Sequence, residues 1–197
     1  MILVPKGYEV FYLGSMPWGR MILMPVDVQT LTLQVYPASI LMERTQEVDP
    51  TDENVHEVAR RMLSMMFEHH GVGLAAPQVG LPWRLFVTRH PNNPDNEESG
   101  VAWLNPTLEV IDGTIESDEE GCLSIPNVRG TIKRPLGIRI SGHDVQGNPI
   151  TTESDEFIAR IWQHENDHLD GVLIIDKMSA MDRLVNRKLI RDLERQQ

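Results

Sequence analysis

Three stretches of the chain carry apolar residues at helical spacing, with shorter strand-like runs between them. Over residues 51–70, Val55, Val58, Ala59, Met62 and Met66 recur at intervals of three and four, which predicts an amphipathic helix with Gly71 just past its end. A second stripe, Phe157, Ile158, Ile161 and Trp162, predicts a helix that Ser154 can cap, that Asp155 and Glu156 suit at its positive end, and that Gly171 closes. A third helix is expected over residues 179–197, with Val185, Leu189 and Leu193 on one face and Arg187, Arg191 and Arg195 on a stripe of their own.

Between the first two helices, residues 83–87 (Trp-Arg-Leu-Phe-Val) and 101–104 (Val-Ala-Trp-Leu) read as strands. The polar segment 91–100 between them has little to bury and is expected to be a mobile loop. Ile138 and Ile140 alternate with polar neighbours, and Gly147-Asn148 marks a hairpin before Ile150. Helices and strands thus segregate into an α+β pattern with antiparallel pairing.

Composition narrows the class. At 197 residues the chain suffices for one core, and no run approaches the roughly 18 apolar residues of a membrane span. A net charge of −11 argues against a general nucleic-acid or specific DNA binder. A single cysteine excludes an internal disulfide, and a ligand role for it requires the reduced thiol, so a cytoplasmic setting is expected.

The chemistry concentrates at Gln163-His164-Glu165-Asn166-Asp167-His168, which contains His-Glu-x-x-His. Residues four apart on a helix stack on one face, so His164 and His168 can grip one metal ion while Glu165 reaches the water it activates. A catalytic site of this kind needs a third protein ligand and one open position. The position where one protease group places a third histidine is Ile174, and only Glu194 remains for the route that uses a later glutamate. Cys122, in Glu120-Gly121-Cys122-Leu123-Ser124, is either an inert thiol or that ligand; the preceding glycine lets the backbone come close to whatever fills the site.

With these two motifs and a third, Gly71-Val72-Gly73-Leu74-Ala75-Ala76-Pro77-Gln78, the chain resembles the peptide deformylases, whose three motifs stand here in order. Weaker similarity runs from Val35 to Asp176. The resemblance implies antiparallel sheets wrapped around a central metal-binding helix, flanked by N-terminal and C-terminal amphipathic helices. It further implies that Cys122, His164 and His168 hold one divalent ion, most often Fe2+, with Zn2+, Ni2+ or Co2+ as substitutes. On the same resemblance, hydroxide generated at the metal would attack the formyl carbon of a formyl-methionyl nascent peptide, Glu165 would act as general base and then acid, and formate would leave. Gln78 through its side-chain amide and Leu123 through its backbone N–H would stabilise the oxyanion, as the resemblance implies. Val72, Phe157 and Ile161 match the pocket for the methionine side chain, expected to be apolar and deep, while Gly73 and Arg129 meet the substrate backbone. The resemblance also implies that Arg134 pairs with Asp167 and braces the helix.

Residues 1–30 fall outside all three motifs and form either an extension or the product of an upstream start, with Met21 or Met24 as the true beginning. The catalytic domain is expected over 31–177 and the C-terminal helix over 178–197; that helix is either a solvated face or a site of transient contact with the ribosome. Two rival functions are a metalloendopeptidase of the His-Glu-x-x-His type and an inactive deformylase-like binding protein. Cys122 in its Gly-Cys-Leu-Ser setting speaks against the first, and intact ligand and catalytic positions speak against the second.

Overall fold

In the computed structural model, which describes residues 26–90, 93, 96 and 99–195, alternation along the central strands sets the layering. Strands β1 (Gly73–Ala75), β2 (Leu85–Thr88), β3 (Val101–Cys122), β4 (Ile125–His143) and β5 (Pro149–Ser154) pair antiparallel in chain order, so the expected sheets are one continuous five-stranded meander. Leu85 and Val87 pack into a cluster with helix α1 (Glu53–Glu68), whereas Phe86 between them packs with helix α2 (Phe157–Leu169). Neighbouring side chains on a strand point to opposite faces, so α1 covers one face of the sheet and α2 the other. Burial on both faces explains why residues 85–87 read as a continuous apolar run.

Helix α1 buries Val55, Val58, Ala59, Met62 and Met66 as its periodicity predicted. Asp52 caps its start by accepting from the N–H of Asn54. At its end the left-handed residue is His70, with φ 55°, where the sequence suggested Gly71. The N–H of His70 bonds Phe67 O at 3.0 Å and that of Gly71 bonds Met66 O at 2.8 Å, closing the helix in a Schellman arrangement. Gly71 is needed for space instead, since a Cβ there would lie 3.1 Å from the Leu123 side chain and 3.2 Å from Gly73 O.

The largest departure from expectation is the β3–β4 hairpin, which extends far beyond residues 101–104 to a tight turn at Leu123–Ser124. Register shifts between Leu104 and Thr107, and again around Asp112, break the ladder where bulges would bend it. The β4–β5 hairpin closes at 144–148 as expected, with Gly147 at φ 79° and the Asp144 carboxylate accepting from the N–H groups of Gln146 and Asn148.

Helix α2 begins at Phe157, later than Ser154 suggested. Ser154 ends β5, and its hydroxyl accepts from the N–H of Glu156 without capping the helix. Gly171, at φ 72°, closes α2 as predicted, and Val172 N–H returns to Asp167 O at 2.9 Å. A short helix α3 (Ile174–Lys177) follows, and the expected C-terminal helix divides into α4 (Ala180–Val185) and α5 (Arg187–Glu194). Ser179 caps α4, but the chain breaks at Asn186, whose buried amide donates to Arg129 O and Asp182 O. The break changes the phase of the apolar stripe. Ile190 and Leu193 are buried, whereas Val185 is 75% exposed and Leu189 40% exposed.

Residues 26–30 fold onto α1, where Val26 N–H donates to Asn54 at 3.0 Å and Val26 and Val28 join the α1 cluster. The rest of the proposed extension, residues 1–25, and most of the segment expected to be mobile lie outside the described residues. Among the described residues no helix is long and apolar enough to cross a membrane.

Candidate metal centre

The end of β3 and one face of α2 meet at the three expected ligands. Cys122 closes β3, His164 and His168 stand one turn apart on α2, and their ligand atoms all lie within 4.8 Å of one another. Cys122 Sγ is 3.2 Å from His168 Nε2. His164 Nδ1 donates to Glu120 Oε2 at 3.0 Å, which leaves Nε2 as its ligand atom. One thiolate and two imidazoles in this spacing fit a single divalent ion with an open position.

The electrostatics favour that use. Burial opposes ionisation of Cys122, but His168 and His164 outweigh it and hold the thiol well below its usual range, in the form that binds metal. For His164, burial acts against the charged ring, and contacts with Cys122 and Glu120 prevail, raising it to about 10; ligation would displace that proton. Glu165 is buried beside these residues and is pushed up to about 7, chiefly by loss of solvent, with the Cys122 charge adding to the effect. Its Oε2 has no hydrogen-bond partner among the described residues.

A cleft of about 550 Å3 opens over this group and is lined by Gln78, Cys122, Leu123, His164 and Glu165. The expected substrate residues Val72, Gly73, Arg129, Phe157 and Ile161 line it as well. Gln78, in the turn Ala76–Val79, is locked by its own amide: Oε1 accepts from Ala75 N–H at 2.8 Å, which aims Nε2 toward Ser124 Oγ at 3.3 Å and Cys122 Sγ at 3.5 Å. The apolar wall is shallower than expected, because Phe157 at the first turn of α2 is 61% exposed and Val72 is 42% exposed; only Ile161 is buried. Arg129 stands on the rim, 3.5 Å from Glu119.

Arg134 and Asp167 lie behind the cleft and pair at 2.9 Å, as the brace required. Sequence reasoning gave no role to the residue that joins this brace to the metal ligands. Glu120 accepts from Arg134 Nε and Nη2 at 2.6 and 2.8 Å while holding His164, and Arg160 reaches it at 2.8 Å. The signal was there in part: Arg134 occupies an inward position on β4 in series with Val128 and Ile132, where a solvated charge has no place. On the other side, Lys177 donates to both oxygens of Asp167 at 2.7 Å. Glu194, the alternative third ligand of a protease, is engaged elsewhere, accepting from the Tyr36 hydroxyl at 3.1 Å.

The sequence model of the polypeptide deformylase family matches residues 30–184. A peptide deformylase of Thermotoga maritima is 40% identical over 163 residues, covering 83% of this chain and 96% of its own length. Among solved structures, a peptide deformylase of Plasmodium falciparum superposes with a TM-score of 0.76 at 35% identity, covering 84% of this chain and 96% of that one. A deformylase of Synechococcus elongatus in complex with actinonin does so with a TM-score of 0.73 at 34% identity, covering 83% and 86%. Matches of this extent, over a site whose ligand geometry stands on its own, establish that the chain belongs to the polypeptide deformylase family, metal-dependent amidohydrolases that remove the N-formyl group from nascent peptides.

Proposed function

We propose that the cleft over Cys122, His164 and His168 is where this chemistry takes place, and that it acts on the formyl-methionine that begins a new polypeptide. The observation that carries this reading is the placement of Glu165, a buried carboxyl with a raised pKa beside the three ligands and open to the cleft. A divalent ion held by Cys122, His164 and His168 would supply Lewis acidity and make a water acidic enough to ionise near neutral pH.

The chain's own residues do the rest. Glu165 takes a proton from the attacking water and passes it to the nitrogen as the C–N bond breaks, so that formate and a free amine leave. Gln78 Nε2 and the N–H of Leu123 donate to the carbonyl oxygen as its charge grows; one such donor is worth about 3–4 kcal/mol in a preorganised site. Val72, Phe157 and Ile161 receive the methionine side chain. Edge strand β1, which begins at Gly73, offers its free side for the peptide to add as a further strand, with Arg129 beyond it on the rim.

Three finer assignments complete the reading. The working ion is Fe2+, with Zn2+, Ni2+ or Co2+ able to replace it. Arg187, Arg191 and Arg195, all exposed along the C-terminal helix, give it a basic stripe suited to transient contact with ribosomal phosphates. The protein acts in the cytoplasm, where its substrate emerges. Formate release from a formyl-Met peptide tests the central claim. Glu165→Gln is expected to bind metal normally and to lose turnover by about 100-fold or more. Near-normal turnover in that variant would overturn the role of Glu165, and absence of formate from the wild-type protein would overturn the function.

A further inference from the structure

Arg160, His164 and His168 stand at intervals of four on α2 and form one stripe facing the end of β3. That stripe meets Glu120 and Cys122, which are two apart on the strand and so share a face. Three contacts zip the two elements together in parallel order. Arg160 Nη1 donates to Glu120 Oε1 at 2.8 Å, His164 Nδ1 to Glu120 Oε2 at 3.0 Å, and His168 Nε2 approaches Cys122 Sγ at 3.2 Å.

The first of these contacts is buried, Arg160 being 6% exposed. The same guanidinium also donates to Ile132 O at 3.1 Å on β4 and to Glu116 O at 3.2 Å on β3. Its fork is thus fixed to both strands of the hairpin, one turn before the first metal ligand. Glu120 in turn receives four donors: Nε of Arg134 and Nη1 of Arg160 on one oxygen, Nη2 of Arg134 and Nδ1 of His164 on the other. These fill the roughly four lone-pair directions of a carboxylate.

We infer that Arg160 is a positioning residue for the metal centre. It sets the rotation of α2 about its axis and the seat of Glu120, and through them aims His164 and His168 at Cys122. Arg134 cannot do this alone: besides Glu120 it grips α2 only at Asp167, beside His168, and leaves the turn before His164 to Arg160. Partners that orient a metal-binding histidine contribute about 10–100-fold in metal affinity. Lysine cannot substitute fully, since one ammonium on a flexible stem cannot hold a carboxylate and two carbonyls in the fork geometry.

The inference rests on the metal reading of the site, and its test separates the two. Metal-free wild-type protein, Arg160→Met, Arg160→Lys and the control Arg139→Met are titrated with Co2+ against a competing chelator. The thiolate-to-cobalt absorption band and the thermal unfolding of each metal-free protein are recorded alongside. Arg139 pairs with Glu109 and Glu153 on the exposed sheet surface and does not meet Glu120. Arg160→Met is expected to bind Co2+ about 10–100-fold more weakly with an altered band, Arg160→Lys to fall between it and wild type, and Arg139→Met to match wild type. A role confined to stability would lower the unfolding temperature of the metal-free variants and leave Co2+ affinity and the band unchanged, which would overturn the inference. An equal loss in Arg139→Met would overturn it too. If Arg160→Met does not fold, Arg160→Lys decides by the same criteria. A wild-type protein that binds no Co2+ would instead remove the metal reading itself.

Discussion

Gly73 and Glu165 share one space. A Cβ on Gly73 would lie 2.3 Å from Oε1 of Glu165, 2.7 Å from its Cδ and 2.8 Å from its Cγ, so the carboxylate occupies the volume that any side chain at position 73 would take. The glycine motif therefore does more than bare a strand edge to substrate. It clears the seat of the residue proposed to move the proton.

The expected outcome for Gly73→Ala follows. The strand can hold alanine, since Gly73 has ordinary extended pairing with Thr88, but Glu165 must swing away. A displacement of about 1 Å at a reacting group costs on the order of 100-fold in rate. Formate release should fall by that order with kcat carrying most of the loss, while metal content and unfolding temperature stay near wild type. Unchanged kcat would show that Glu165 works from another rotamer.

Arg134→Ala tests the brace behind the site. Arg134 is 2% exposed and holds Glu120 and Asp167 at once, so removing it strips a buried carboxylate of two donors. Breaking one partner of a buried ion pair costs about 3–5 kcal/mol. Arg160 and His164 still hold Glu120, and Lys177 still holds Asp167, which places the expected loss at the lower end of that range. Urea unfolding of the metal-free protein measures it; a loss below about 1 kcal/mol would show that the network redistributes without Arg134.

The pair Arg134 and Asp167 was legible in the sequence only through the family resemblance, and Arg160 was not legible at all. The reason is physical. A charged residue inside a stripe of Phe157, Ile158, Ile161 and Trp162 reads as the solvated flank of a helix until its partner, 40 positions away at Glu120, is known. By contrast the ligands His164 and His168 could be read directly, because their relation is local and set by the pitch of a helix. The long hairpin escaped notice for a different reason: residues 109–119 are exposed along β3, so that strand carries no inward-facing alternation, and on β4 the alternation through Val128 and Ile132 is masked by Gly130 and Arg134 at its other inward positions. Helix ends were missed by small amounts where another element claimed the signal residue, as β5 claims Ser154 and the His70 turn pre-empts Gly71.

The β4–β5 turn gives a prediction in pH. Burial opposes the charge on Asp144, but the N–H groups of Asn148 and Gln146 and the Asn148 amide outweigh it, so its folded pKa lies below the ordinary value. A depressed carboxylate contributes stability that is fully present above its unfolded pKa and is lost as pH falls through the folded one. Asp144→Ala should therefore lose a few tenths of a kcal/mol, at most about 1, near neutrality because solvent screens the carboxylate, and the difference from wild type should shrink on acidification below the ordinary carboxylate range. Chemical unfolding of both proteins across that range measures it, and a difference that grew in acid would refute the assignment.

Affinity and the proposed Fe2+ pull in opposite directions at the metal site. Cys122, His164 and His168 would offer a metal one soft thiolate and two imidazoles with a position left open, and the general affinity order favours Zn2+ over Fe2+ at such a site. The proposed Fe2+ is the ion that availability in the cell can impose over affinity. Protein purified without oxygen is expected to carry close to one Fe2+ per chain and to release formate rapidly. Exposure to air should abolish that activity as the iron or the Cys122 thiolate oxidises, because a thiol held as thiolate in a cleft is the form that reacts. Reduction and reloading with Fe2+ should restore turnover if only the metal was lost, whereas oxidation of Cys122 beyond the sulfenic stage should leave a protein that no longer binds it. Elemental analysis beside the formate assay decides between the ions. Stoichiometric zinc with full, air-stable turnover would sink the iron assignment and leave the three ligands in place.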